Sequence, residues 1–169
     1  MNDIDDKLEN AIVNLPNHWA TGAQSMWAFR LDDGTYQIDN VPFYAYGINY
    51  KDIVRVDASD ATGLPIVTNI ITPNGHDTFR VIFPKNVGKK KQEPTIEELE
   101  KMGVSVERAF NNYVAIDVPP EVDYDVVRDR LDQLQSSGLL EYETCEPRAD
   151  GRFDEGPDTD EEVASGYEN

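Results

Sequence analysis

The sequence predicts an α+β fold in which N-terminal antiparallel β hairpins, or a partly closed barrel, join a ferredoxin-like βαββαβ half. Three observations carry that expectation. Short runs rich in apolar and β-branched residues, with alternation at Trp27, Phe29 and Leu31, fill Met26 to Thr72 and are separated by turn signals. Further on, helical spacing appears twice. Read from residue 76, the element order is β-α-β-β-α-β, that of a four-stranded antiparallel sheet backed by two helices.

The elements follow in order. Leu8, Ala11, Ile12 and Leu15 have helical spacing, so residues 1–25 read as a leader with a short amphipathic helix limited by Pro16 and Gly22. Residues 26–75 form the antiparallel half. Trp27, Phe29 and Leu31 alternate with Met26, Ala28 and Arg30, Asp32-Asp33-Gly34 turns the chain, and Tyr36 and Ile38 return it. Val41 to Gly47 is an aromatic bend, because Pro42 has no N–H for a ladder. Asp52 to Asp57 and Pro65 to Thr72 are strands, and Pro73-Asn74-Gly75 is a turn.

Residues 76–146 form the ferredoxin-like half, integrated with the first. Thr78 to Phe83 is a strand. Lys85 to Gln92 reads as a polar linker, and Thr95-Ile-Glu-Glu98 as the capping box that opens a helix ending at Gly103. Val104 to Arg108 and Tyr113 to Val118 are strands. Asp123 caps a second helix with an apolar stripe of Tyr124, Val127, Leu131 and Leu134, stopped by Gly138. Leu139 to Cys145 is the last strand. Residues 147–169 read as a flexible acidic tail, too poor in apolar side chains to offset the entropy of ordering.

Charge is the unusual feature of the composition. The 169 residues carry 33 acids against 15 bases, a net charge of −18, and residues 119–169 alone hold 16 acids and 4 bases. Such a field repels nucleic acid and anionic lipid and attracts basic proteins. A single cysteine, Cys145, excludes an internal disulfide and fits a reducing cytoplasm. The N-terminus has no signal-peptide pattern and no apolar run approaches membrane-spanning length, so no membrane role is expected.

Catalytic chemistry has few candidates. Cys145 lies between Thr144 and Glu146, and acidic neighbours disfavour a thiolate. His76, in Asn74-Gly75-His76-Asp77, is one weak polar site, with Asp52 or Asp77 as its orienter. No Cys or His spacing suits a metal, and no glycine-rich loop suits a phosphate, so no metal and no cofactor are expected. The stronger candidate is a surface. If Val114, Ile116, Val118, Leu140 and Tyr142 face the helices, then Asp117, Glu141 and Glu143 share the open face of the sheet. Asp125, Asp129 and Asp132 form one stripe on the second helix. Arg80, Arg128 and Arg130 are available to neutralise part of this charge.

Several of these residues occur together in a known pattern. Trp27-Ala28, Tyr36-x-Ile-Asp-Asn40-Val-Pro42-Phe43-Tyr44-Ala45-x-Gly47, Asp52-Ile-Val54 and Gly75-His76-x-Thr78-x-Arg80 resemble a bacterial domain of unknown function, number 4265. Ala115-Ile-Asp117-Val-Pro119-Pro120 and Gly138-x-x-x-Tyr142-Glu143 fit the same resemblance, which spans roughly 26–146. It implies bacterial origin and one integrated domain, and supplies no activity. This chain has Asn74-Gly75-His76-Asp77 where the resemblance implies Ser-Gly-His-Ser, which argues against catalysis by His76.

The reading that follows is a non-enzymatic acidic protein that binds a basic protein partner. Its concrete form is a cytoplasmic immunity protein against a basic toxin, such as a nuclease. The alternatives are a nucleic-acid mimic that inhibits or regulates a ribonuclease or other nucleic-acid enzyme, an enzyme centred on His76, and a housekeeping module. Direct nucleic-acid binding is not expected, and the oligomeric state stays open.

Overall fold

Alternation decides the first element. In the computed structural model, which describes residues 8–58 and 61–156, Leu8–Asn14 is strand β1 and not the short helix expected there. It pairs along its whole length with β2 (Ala23–Arg30), Leu8 opposite Phe29 and Asn14 opposite Ala23. Ala11, Val13 and Leu15 are fully buried. That is a period of two, and it includes Val13, which the helical reading left on the wrong face. Residues 1–7 of the expected leader lie outside the described residues.

β3 (Tyr36–Ile38), β4 (Ile53–Ala58) and β5 (Pro65–Thr72) continue the antiparallel pairing. A parallel bridge from Ile12 to Ile66 then joins β1 to β5 and closes a five-stranded barrel. Closure brings together the two strands that would otherwise be open edges of the sheet. The interior of so small a barrel is narrow. Ala11, Ala28 and Ala45 supply small side chains beside Met26, Tyr36 and Ile38.

The second sheet is built from β6 (Asp77–Ile82), β7 (Ser105–Phe110), β8 (Tyr113–Val118) and β9 (Glu141–Thr144), in the order β7-β8-β6-β9 with every pair antiparallel. Two helices, α1 (Lys89–Lys101) and α2 (Tyr124–Ser136), pack on one face of it. Phe79, Val81, Ile116, Leu99, Leu131 and Leu140 are among the buried residues of this second core. The fold is therefore mixed α+β, a closed barrel beside a sheet covered by two helices.

α2 begins as its sequence requires, with the Asp123 carboxylate accepting from the backbone N–H of Asp125 and Val126. α1 does not. It starts six residues before the expected capping box, at Lys89, so the lysine run is its first turn and Pro94 lies inside it. No side chain caps this end, and three lysines oppose the helix dipole. Tertiary contacts outweigh that: buried Gln92 donates to the carbonyls of Val87 and Asn111 and accepts from Arg108.

The segment after β9 also differs from expectation. Residues 147–156 fold back onto the barrel, where Phe153 joins its core and Asp154 is fully buried. The Asp154 carboxylate accepts from the N–H of Asn17 and Gly156. Gly47 is required at this contact, since its φ is 75° and a Cβ there would lie 2.9 Å from Pro147 Cγ. The remainder of the expected acidic tail, 157–169, lies outside the described residues.

Candidate functional site

The six carboxylates expected to share accessible acidic surfaces fall into two environments. Asp125, Asp129 and Asp132 project from the exposed side of α2, opposite the buried stripe of Val127, Leu131 and Leu134. Asp132 accepts a hydrogen bond from the Tyr142 hydroxyl. Among the described residues Asp125 and Asp129 have no ion pair or side-chain hydrogen bond, and Arg130, which was available to neutralise them, instead bonds Glu98 through two nitrogens. Glu141 is exposed at the start of β9, opposite Ile82, and likewise has no ion pair among the described residues.

Asp117 and Glu143 are a correction. The sheet face opposite the helices is not open, because the segment from Val41 to Tyr50 lies over it. Asp117 is buried there, with a side chain 6% exposed, and Glu143 is only partly accessible. Alternation placed both on the correct face, but it could not show that the barrel covers that face.

Arg80 occupies the centre of this covered face. Its guanidinium is fully buried, with Nε donating to Glu143 at 2.9 Å and Nη1 to the Ala45 carbonyl at 2.7 Å. The Tyr46 ring lies 4.5 Å from the guanidinium carbon, and the Tyr46 hydroxyl donates to Glu143. A buried guanidinium needs such partners, since burying an isolated charge costs several kcal/mol. Burial pushes the Tyr46 hydroxyl well above its ordinary pKa, and Glu143 adds to the shift. Nη2 is the exception: among the described residues it is the buried side-chain polar atom left without a partner.

His76 has an orienter, but not the one expected. Its Nδ1 lies 2.9 and 3.1 Å from the two oxygens of Asp117, while Tyr50 meets the ring edge-on at 5.2 Å. Asp52 has a different task. It is buried and accepts from the N–H of Asn49 and Asn74, holding together the two loops that enclose His76. Asp77 points away to a cleft it shares with Asp52, Glu146 and Cys145. Burial raises the pKa of Asp117, and the hydrogen bond and charge of His76 lower it in part. Burial likewise raises Asp52, against its two backbone donors, and raises Asp77 with help from Glu146.

The histidine and Asp117 have the geometry of an oriented base. No nucleophile completes it among the described residues. The nearby Thr78 hydroxyl donates to Asn49, and Cys145 is buried with its thiol pushed up to about 12, chiefly by burial. No group of three potential metal ligands occurs among the described residues, and no described helix is long and apolar enough to cross a membrane.

Sequence reasoning missed the aromatic surroundings of Arg80. His18 stacks on Trp19 and meets Tyr44 edge-on, Tyr44 stacks on Tyr113, and Phe110 tilts against Tyr113. The available signal was a lone arginine inside the apolar run Phe79-Arg80-Val81-Ile82-Phe83. An arginine there is either on a solvent face or at a built site.

Comparison with known proteins gives a fold and a family without an activity. A crystal structure described as that of a hypothetical protein from Neisseria gonorrhoeae shares the fold, with a TM-score of 0.64 over 81% of this chain and 92% of that one, at 17% identity. No curated protein matches the chain. The model of a family described as a domain of unknown function, DUF4265, matches residues 24–142. With most of its length matched, the chain belongs to the DUF4265 family.

Proposed function

We propose that this is a non-enzymatic acidic protein of the cytoplasm that docks on a basic protein partner, most concretely a bacterial immunity protein that neutralises a basic toxin such as a nuclease. The observation that carries the reading is the pair of exposed carboxylates on α2, Asp125 and Asp129, which have no ion pair among the described residues. Asp132 and Glu141 extend the acidic surface. A net charge of −18 adds long-range attraction, and such steering brings oppositely charged proteins together at up to 10⁸–10⁹ M⁻¹s⁻¹ at low salt. Toxins that act on nucleic acid have basic active faces, which fit this field. We read the second half as a ferredoxin-like scaffold for the surface, supported by its antiparallel order β7-β8-β6-β9 with both helices on one face.

The test is co-purification of the tagged chain with the product of the adjacent gene, at low and high salt. The expected result is a complex that forms faster at low salt, protects cells from that product, and persists when residues 157–169 are deleted. A neighbouring product with no toxic activity, or a complex insensitive to salt, sinks the reading. Loss of binding on deletion of 157–169 favours the nucleic-acid mimic instead.

A second reading has one observation behind it, the His76 ring oriented by Asp117. It makes the protein an enzyme with His76 as general base. Replacement of His76 by Ala with full protection retained removes it.

A further inference from the structure

Beside Arg80, a groove of about 260 Å³ brings Trp19, Ile82 and Tyr113 together with the carboxylates of Glu141 and Glu143. Arg80 itself lines it. Three features define what fits. Two carboxylates against one guanidinium, already bonded to Glu143, leave an excess of negative charge for a cation. Trp19 is 67% exposed and Ile82 40%, an apolar surface that the described residues leave open. The volume is below the roughly 300–1,000 Å³ of small-molecule clefts and suits a single long side chain.

We propose that this groove anchors a lysine or arginine side chain of a basic protein partner, with the cation against Glu141 and the Trp19 ring and the aliphatic stem along Ile82. The proposal rests on the docking reading above and names the kind of residue by which the partner is held. His18, stacked 5.3 Å from Trp19, does not oppose it. Burial and the charge of Arg80 hold that imidazole below its ordinary pKa, so it adds no positive charge at neutral pH.

The test follows the Trp19 indole N–H by NMR in the full chain, with Trp27→Phe assigning the two indole signals. The probes are N-acetyl-arginine methylamide, the lysine and alanine analogues, and acetate. Saturable movement with the arginine and lysine amides alone is expected. Glu141→Gln should weaken it by roughly threefold, the size of an exposed ion pair. Trp19→Ala, followed at the Tyr142 amide, should weaken it by roughly threefold through the lost cation–π contact. Movement with acetate alone makes the groove an anion site on Arg80 and overturns the proposal, as does a silent titration or an unchanged response in Glu141→Gln. The two readings separate cleanly. Arginine binding without any basic partner removes the proposed function and keeps the groove. A partner bound normally by both variants removes the groove and keeps the function.

Discussion

The outer side of α2 and the barrel-facing side of the second sheet carry the same kind of charge in opposite circumstances. On α2, Asp125 and Asp129 are exposed and have no partner among the described residues. On the sheet, Glu143 is bonded to Arg80 and Tyr46, and Asp117 to His76. A carboxylate's role is set by what covers it. Of the covered ones, Glu143 reaches across to Tyr46 in the barrel half while Asp117 holds His76 within its own half, and the uncovered ones stay open to solvent.

Breaking the covered side should produce the largest effect. Arg80→Ala removes the bonds to Glu143 and the Ala45 carbonyl and leaves a cavity under Tyr46. A stability loss of about 3 kcal/mol or more is expected in urea unfolding. A loss below about 1 kcal/mol means that this face does not hold the halves together. Gly47→Ala tests the same junction from the backbone. It forces a side chain into positive φ and against Pro147, and should cost about 1–3 kcal/mol by the same measurement.

Asp123 stands between the two circumstances, exposed yet used by its own helix. Asp123→Ala should lower stability by about 1 kcal/mol, and Asp123→Ser should restore most of it. Next in size is a pH dependence. Asp52, Asp77, Asp117 and Glu107 all have native pKa values raised by burial. Between their ordinary and raised values the folded chain holds protons that the unfolded chain has released. Stability from these groups therefore falls as pH rises through that window. The urea midpoint should rise as pH is lowered from neutrality towards the ordinary carboxylate range, and Asp77→Asn should flatten the slope. A midpoint that drops on acidification contradicts the assignment of burial as the dominant influence.

The smallest effect on folding belongs to the uncovered side. Asp125→Asn combined with Asp129→Asn should change stability by no more than about 0.5 kcal/mol. The same pair should slow association with a basic partner and weaken its salt dependence, measured by stopped-flow mixing. A large loss of stability would show that these carboxylates are structural after all.

What could be read from the chain tracks the range of the forces involved. The apolar stripe Val127, Leu131, Leu134 and the Asp123 cap identify α2, because a helix and its cap are local. The hairpin at Asp33-Gly34 is local in the same way, with the Asp33 carboxylate accepting from Thr35. β1 was not legible, since Leu8–Asn14 suits a helix or a strand until β2 and β5 are present on either side. Nor was the start of α1, where Gln92 overrides a poor N-terminus through Asn111, nineteen residues away in sequence.

The candidate site divides along the same line. Composition by itself determined the strong negative charge, and periodicity determined that Asp125, Asp129 and Asp132 lie on one helical stripe. Only the tertiary structure decided that Asp117 and Glu143 are covered, that Asp117 and not Asp52 or Asp77 orients His76, and that Arg80 is buried beside a groove. The reason is physical: a strand's pleat assigns each residue to a face, but whether that face meets water or a barrel depends on residues dozens of positions away.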